Sequence, residues 1–166
     1  MIPLKPELKE FQEALYKFIE NHEKIVFLGI GNQLRGDDYS GALTALKLSH
    51  KCPSDDVTII DGGSVPENYT GLIRKEDPSH IILIDAADMG KPPGYLKLIK
   101  KEEISQYNIS THAMPLSFLI KYLEQTTRAR IILIGIQPLE MELANALSED
   151  VKKSVDFLVD ILRTIC

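Results

Sequence analysis

Three segments of this chain are apolar almost throughout, and each is too short to cross a membrane. They are "KIVFLGIG" (24–31), "HIILIDAAD" (80–88) and "ARIILIGIQP" (129–138). Strands of a parallel sheet that is covered on both faces have this composition, because neither side of such a strand meets water. Segments with apolar residues at helical spacing lie between them, so strand and helix alternate along the chain. The sequence therefore predicts an α/β protein with a mostly parallel sheet.

The predicted elements form a single domain, residues 1–166, with a twisted, mostly parallel five-stranded sheet and helices on both faces. This is a three-layer α/β/α arrangement of the phosphorylase/hydrolase-like kind. The segment 94–103 alternates between apolar and polar residues, which predicts a half-buried strand at a sheet edge. The predicted strands are 24–31, 56–63, 80–88, 94–103 and 129–138, and the predicted helices are 6–21, 39–50, 67–75, 115–127 and a last one from about Ser148.

The composition excludes several classes of partner. The chain has 44% apolar and 26% charged residues and a formal net charge of −5, so we expect no nucleic-acid or anionic-membrane surface. No apolar run reaches the roughly 20 residues of a membrane helix, and the N-terminal residues lack the core of a signal peptide. Cys52, in a polar loop, and Cys166 are predicted to be free thiols in a reducing compartment. We therefore expect a cytoplasmic protein without membrane insertion.

Polar residues follow the predicted strands at the points where they end. Ligands of open α/β sheets bind beyond the carboxyl ends of the strands, where the strand order reverses. Acids and one histidine at this edge suit cation binding or acid–base chemistry. The candidates are Gly29, Gly31, Asn32, Asp37 and Asp38 after the first strand, Asp61, Gly62 and Gly63 after the second, Asp85 and Asp88 near the end of the third, Ser110, Thr111 and His112 before the fourth helix, and Gln137 and Pro138 after the last strand.

A phosphate site is disfavoured at the first turn. "GIGNQL" (29–34) has Leu34 where a dinucleotide-binding fingerprint has its third glycine, and no Gly-Lys-Ser/Thr follows. The two acids after it would repel phosphate. The glycines can instead be explained as a simple turn, and Asn32 as a turn residue that bonds its own backbone.

Structural roles are open for the acids as well. Either Asp37 or Asp38 can be the N-cap of the following helix, but not both. Asp85 is harder to explain structurally, because an acid inside an apolar strand is costly without a partner. His22, His50 and His80 lie at polar ends of elements, whereas His112 lies in a loop at the predicted functional edge.

Five motifs in order resemble those of the nickel–iron hydrogenase maturation endopeptidases. The resemblance covers residues 24–160, which form the family-like protease core, and the helix within 1–22 is additional. "STH" and "GIQP" are similar to the subgroup that processes hydrogenase-3-type or coenzyme F420-reducing hydrogenases. The motifs are "GIGNQLRGDD" (29–38) with Gly41, "DGGSVPE" (61–67), "IDAADMGKPPG" (84–94), "STHAMPLSFL" (110–119) and "IGIQP" (134–138).

The resemblance implies one proteolytic cut, which removes a C-terminal extension from the large-subunit precursor of a hydrogenase after nickel insertion. It implies Asp38, Asp85 and His112 as metal ligands, with nickel as the metal and zinc or cadmium as substitutes. Two carboxylates and an imidazole suit such ions. One departure is Tyr39, which stands where the family often has glycine and either narrows the cleft or points outward.

Two mechanisms fit these residues. In the first, a bound metal polarises the scissile carbonyl and activates water, as in a metal-dependent endopeptidase. In the second, nickel in the precursor is only the recognition element, and Asp38 and Asp85 activate water as in an aspartic-type endopeptidase. A non-enzymatic nickel chaperone or sensor with the same ligands is the alternative function, and a flavodoxin-like module for a phosphorylated ligand is a second one.

Overall fold

The apolar segments form the strands of a central sheet, and the amphipathic segments between them form helices. The structure is a computed structural model that describes residues 4–109 and 114–166. The strands are β1 (Ile25–Gly29), β2 (Val57–Asp61), β3 (His80–Asp88), β4 (Leu96–Ile99), β5 (Asn108–Ile109) and β6 (Arg130–Ile136). The helices are α1 (Pro6–Phe18), α2 (Ser40–Ser49), α3 (Thr70–Glu76), α4 (Leu116–Thr126) and α5 (Glu149–Leu162), with short 3-10 helices at Gly36–Tyr39, Pro66–Tyr69, Lys101–Gln106 and Arg163–Ile165.

The sheet has the strand order β2-β1-β3-β6-β4. The first four strands in this order are parallel, and β4 lies antiparallel to β6 at the edge. All five predicted strands are present, but the prediction of five strands in all is wrong. The sixth, β5, is a two-residue strand that pairs antiparallel with Ala87 and Asp88 at the end of β3. Two residues are too few to produce an alternating pattern, so the sequence did not indicate it.

Alternate side chains of the buried strands enter two separate cores, which confirms the three-layer arrangement. Ile25 and Phe27 of β1 belong to a cluster with buried residues of α1, α2 and α5. Val26 and Leu28 belong to a cluster with α3 and α4. Burial of both faces explains why these strands are apolar throughout.

The additional N-terminal helix packs on the sheet. Its residues Phe11, Leu15 and Phe18 are buried in the cluster shared with α5. Helix α1 ends at Phe18, three residues before the predicted end, and Asn21 adopts a positive φ of 59°. A left-handed residue cannot continue the helix, and asparagine tolerates this conformation better than most residues.

Cys52 and Cys166 form a disulfide bond, so the prediction of two free thiols is wrong. Their Cα atoms are 5.2 Å apart although the residues are separated by 114 positions. Helices α2 and α5 pack against each other, and the chain segments that follow them bring the two cysteines together. Sequence separation alone does not reveal this proximity. The cytoplasmic location loses the support of free thiols and remains a prediction.

We expect the disulfide to contribute measurably to stability. A crosslink that closes a loop of this length restricts the unfolded chain, so its loss should lower the free energy of unfolding by about 2–5 kcal/mol. A reductant should lower the urea concentration at which half of the native protein is unfolded. The same midpoint of the Cys52→Ser variant should not change when the reductant is added. Equal midpoints for oxidised and reduced protein would contradict this expectation.

Within the described part of the chain, none of the helices has both the length and the apolar composition needed to cross a bilayer.

Candidate functional site

The strand order reverses between β1 and β3. After β1 the chain forms β2 on one side of it, and then returns to form β3 on the other side. Parallel strands that diverge in this way leave a crevice beyond their carboxyl ends. A backbone hydrogen bond joins the two segments directly beyond the end of β1, since Ile30 N donates to Ile84 O at 2.8 Å. Asp38 follows β1, and Asp85 lies near the end of β3, as expected from the sequence.

Asp38 lies in the 3-10 helix after β1 and is only 2% exposed. Its Oδ2 accepts a hydrogen bond from the backbone N of Asn32 at 3.0 Å. Its Oδ1 is buried and has no hydrogen-bond partner among the described residues. A buried carboxylate oxygen without a donor is costly. This oxygen is therefore suited to accept a proton or to bind a cation.

Asp85 is fully buried in β3. Pairing between β1 and β3 ends at Gly29 and Ile84, so Asp85 is the first β3 residue beyond the end of β1. On its other side, Asp85 is in register with Gly135 of β6. Its Oδ1 accepts a hydrogen bond from the backbone N of Ala86 at 2.8 Å. Both acids thus come from chain segments at the crevice.

The glycines of the first two motifs allow close backbone contacts around the crevice. A Cβ atom at Gly29 would overlap with Gly41 O, and one at Gly31 would overlap with Asp38 O. The two glycine turns are also bonded to each other, because Gly31 N donates to Gly63 O and Gly62 N donates to Gly29 O, both at 2.8 Å. Glycine is required where backbones approach this closely.

Gly41 provides a stability test of this close packing. It is the second residue of α2, and a Cβ atom there would overlap with Ile84 O and lie 2.5 Å from Ile30 O. We expect Gly41→Ala to lower the free energy of unfolding by about 1–3 kcal/mol. Gly71 is the second residue of α3 and has only the tip of Arg74 nearby, at 3.9 Å. Gly71→Ala should instead stabilise by about 0.5–1 kcal/mol. Equal urea midpoints for the two variants would contradict the packing account.

The side chains of Asp37 and Asp38 accept hydrogen bonds from different residues. It is fully buried, and its carboxylate accepts hydrogen bonds from Leu139, Glu140 and Ser148. The hypothesis that Asp37 or Asp38 is the N-cap of the next helix is wrong, because α2 begins at Ser40 without a side-chain cap. A 3-10 turn containing both acids precedes α2 and uses them for other contacts.

Asn32 and Gln137 have structural partners, which are local for Asn32 and distant in sequence for Gln137. Asn32 Oδ1 accepts a hydrogen bond from Leu34 N at 2.9 Å, which is the turn contact expected from sequence. Gln137 Oε1 accepts one from Met89 N at 2.6 Å, and its Nε2 donates to Asp88 Oδ1 at 3.1 Å. The bond from Gln137, with a second from Gly90 N, lowers the pKa of Asp88. Gln137 therefore holds the chain that leaves β3.

Tyr39 is half-buried beside the second motif. Burial raises the pKa of its phenol, and the nearby negative charge of Asp61 raises it further. The side chain therefore neither points freely into solvent nor carries a charge at neutral pH.

Two polar atoms at this edge had not been predicted as functional. Ser40 Oγ and Glu67 Oε2 are buried without a hydrogen-bond partner in the described chain. Glu67 lies in the 3-10 helix after the second glycine turn, so its position after a strand was the signal that could have identified it. Ser40 directly follows Tyr39 and gave no comparable signal.

The third residue of the predicted metal set, His112, lies outside the described residues, as do Ser110 and Thr111. Across residues 4–109 and 114–166, no three histidine, cysteine, aspartate or glutamate side chains are grouped closely enough to hold a metal ion. The described part of the chain therefore supplies two acids of the predicted set, and the histidine stays a prediction.

Three leucines are exposed in loops at the carboxyl ends of β1 and β6. Leu34 is 66%, Leu139 61% and Leu143 71% exposed. The two loops are connected, because Ala144 N donates to Leu34 O at 2.7 Å. Large apolar side chains left in water near a candidate site are typical of an interaction surface.

Comparisons with known proteins agree with the motifs. The profile of the HycI hydrogenase maturation proteases matches residues 42–165. The hydrogenase 3 maturation protease of Escherichia coli K12 is 36% identical over 132 residues, which cover 79% of this chain and 83% of that protein. The hydrogenase expression/formation protein HupD of Bradyrhizobium diazoefficiens is 30% identical, over 84% of this chain and 78% of that protein.

A solved structure shares the fold across nearly the whole chain. The crystal structure of the [NiFe] hydrogenase maturation protease HycI from Thermococcus kodakarensis KOD1 superposes with a TM-score of 0.85 and 32% identity, covering 92% of this chain and 97% of that one. The family profile and these relatives each cover well over half of the sequence. The chain belongs to the HycI family of hydrogenase maturation proteases.

Proposed function

We propose that this protein is an endopeptidase that removes the C-terminal extension of a nickel–iron hydrogenase large-subunit precursor after nickel insertion. Family membership supports a peptidase that acts in hydrogenase maturation. The assignment of peptide-bond hydrolysis rests on one observation: the buried Oδ1 of Asp38 has no donor among the described residues. It lies at the strand-order reversal, where Asp85 is the first β3 residue beyond the end of β1.

The two acids have complementary roles in this proposal. A peptide bond is hydrolysed when a base removes a proton from water and an acid protonates the leaving amine. Asp38, with one open oxygen, is the group we assign to the attacking water. Asp85, fully buried, is the group that we assign, in its protonated form, to the leaving amine, and it recovers its proton from Asp38 when the products leave. Both roles need carboxylates placed at the same crevice.

In this proposal nickel belongs to the precursor and is the element that the protein recognises. Asp38 and Asp85, together with His112, would hold it, and zinc or cadmium could substitute. The donor set fits, since carboxylate and neutral imidazole are ligands for divalent ions of this type. Asp38 Oδ1 has no donor in the described chain, and this oxygen, also assigned to the attacking water, is open to one of these two partners at a time. When bound, such an ion would polarise a neighbouring carbonyl.

A macromolecular substrate is supported by the surface around the crevice. Leu34, Leu139 and Leu143 are exposed in adjoining loops, which suits contact with another protein better than contact with a small polar ligand. The aspartates at the crevice also disfavour a phosphorylated ligand, so the flavodoxin-like alternative has little support. We expect the precursor to be met in the cytoplasm.

A non-enzymatic nickel chaperone or sensor remains the second candidate, because it would use the same three ligands. The two functions differ in turnover. We would incubate a nickel-loaded precursor with about one-fiftieth of its amount of this protein and follow the precursor mass. A protease should remove the C-terminal tail from nearly all molecules. A chaperone or sensor would leave the tail in place, and that result would reject the proposal.

A further inference from the structure

The side chain of Asp37 bonds both ends of one loop, and the proposed catalytic roles do not involve it. The rim segment, residues 138–148, leaves the end of β6 and leads to α5. Asp37 Oδ2 accepts hydrogen bonds from Leu139 N at 2.7 Å and Glu140 N at 3.1 Å, at the start of this segment. It also accepts one from Ser148 Oγ at 2.8 Å, and Oδ1 accepts one from Ser148 N at 2.7 Å, at the end of it.

The connection is reinforced by the backbone. Asp37 N donates to Glu140 O at 2.8 Å, and further along the rim segment Ala144 N donates to Leu34 O at 2.7 Å. One buried carboxylate thus joins both ends of the rim segment to the turn that carries Asp38. Hydrogen bonds to a charged acceptor are stronger than those between neutral groups, so this carboxylate fixes where the rim segment lies.

The rim segment carries two of the three exposed leucines. Leu139 and Leu143 are presented by it, and Leu34 by the loop to which it is bonded. Glu140 and Glu142 in the same segment are also exposed. A surface that combines exposed leucines with carboxylates is complementary to apolar side chains flanked by lysine or arginine.

We propose that Asp37 is a positioning residue, which holds the rim segment in place so that Leu34, Leu139 and Leu143 form a docking surface for the precursor beside Asp38. This inference rests on the proposed function, because the precursor is the partner it commits to. Asp37 acts through the rim segment and does not touch the reacting atoms. Its loss should therefore weaken precursor binding more than it slows the cut.

Asp37→Asn tests this directly. The Asp37 carboxylate is the acceptor in every described hydrogen bond that its side chain makes. The amide nitrogen of asparagine is a donor, and it would oppose at least one of these donors. We expect KM for the precursor to rise at least about tenfold, because the hydrogen bonds that the charged carboxylate accepts are weakened. The value of kcat should stay within about threefold of native. Ser148→Ala removes one of the four bonds and should give a smaller rise in KM. Asp156→Asn, an exposed acid on α5, should behave as native.

A second measurement does not depend on cleavage of the precursor. A glutamate-specific protease should cut after Glu140 or Glu142 much faster in Asp37→Asn than in the native protein, because the rim segment is released. This result would support the positioning role even if the native protein left every precursor intact, an outcome that would reject only the proposed function. Equal cutting of the rim segment in both proteins would overturn the positioning role.

The separate effects of Asp37→Asn on kcat and on KM also test the inference. A fall in kcat for Asp37→Asn at unchanged KM would overturn the inference. Should Asp37→Asn fail to fold, the double variant Leu139→Ala/Leu143→Ala removes the exposed side chains and leaves Asp37 intact. It should raise KM in the same way at unchanged kcat, and an unchanged KM would overturn the docking surface.

Discussion

Asp38→Asn is expected to slow cleavage of the nickel-loaded precursor by about 10²- to 10⁴-fold, the range over which a positioned acid or base contributes. Asparagine keeps an oxygen that can accept the bond from Asn32 N, which the native Oδ2 accepts at 3.0 Å. It removes the charge from Oδ1, which has no donor in the described chain. The protein should therefore stay folded, and thermal unfolding should occur at the native temperature or above.

The matched control is Asp61→Asn. Asp61 ends β2 at the same edge of the sheet, is exposed, and accepts a hydrogen bond from Gly63 N at 3.0 Å. It should cleave the precursor at the native rate within about twofold, since exposed substitutions have small effects. Cleavage by Asp38→Asn within tenfold of native would contradict the assignment of Asp38 to the attacking water.

Asp85→Asn is expected to remove cleavage to the limit of detection. Asp85 is fully buried at the first β3 position beyond the end of β1, so its carboxyl group acts in a site shielded from water. Electrostatic effects are larger in such surroundings than in solvent. The amide has nearly the same shape, and its oxygen can keep the bond from Ala86 N. We expect the midpoint of thermal unfolding to change by no more than about 4 °C, which corresponds to about 1 kcal/mol or less.

Two measurements separate function from structure at Asp85. Circular dichroism reports whether Asp85→Asn is folded, and binding of the nickel-loaded precursor reports whether recognition is lost together with cleavage. A folded variant without cleavage supports a role in the site. Unfolding of Asp85→Asn under conditions in which Asp38→Asn is folded would show that Asp85 is mainly structural.

Much of the fold was predictable because local pattern and burial agree. Strands β1, β3 and β6 are apolar on both faces, and both faces are covered by helices. Strands β1 and β3 are neighbours in the sheet, which agrees with a site at the carboxyl ends of the strands. Strand β5 was missed because its two residues pair only through the end of β3. The disulfide was missed because it depends on the packing of α2 against α5.

The candidate site was also predictable only where local sequence determines it. The glycine turns and the acids after the strands were predicted, because residue type and position sufficed. The partners of Asp37 could not be predicted, since Leu139 and Ser148 lie 102 and 111 positions away in the sequence. Local reasoning could therefore offer only helix capping as a structural role for one of the two acids, whereas long-range contacts determine what Asp37 does.

The most direct test of the proposed function compares nickel-loaded and nickel-free precursor in parallel with the native protein. The C-terminal tail should disappear from the nickel-loaded precursor only, as followed by mass spectrometry over time. Adding nickel to the metal-free precursor, so that it becomes loaded, should restore the cut. Equal cleavage of both precursors would contradict nickel as the recognition element, and cleavage of neither would contradict the assignment of this protein as the processing protease.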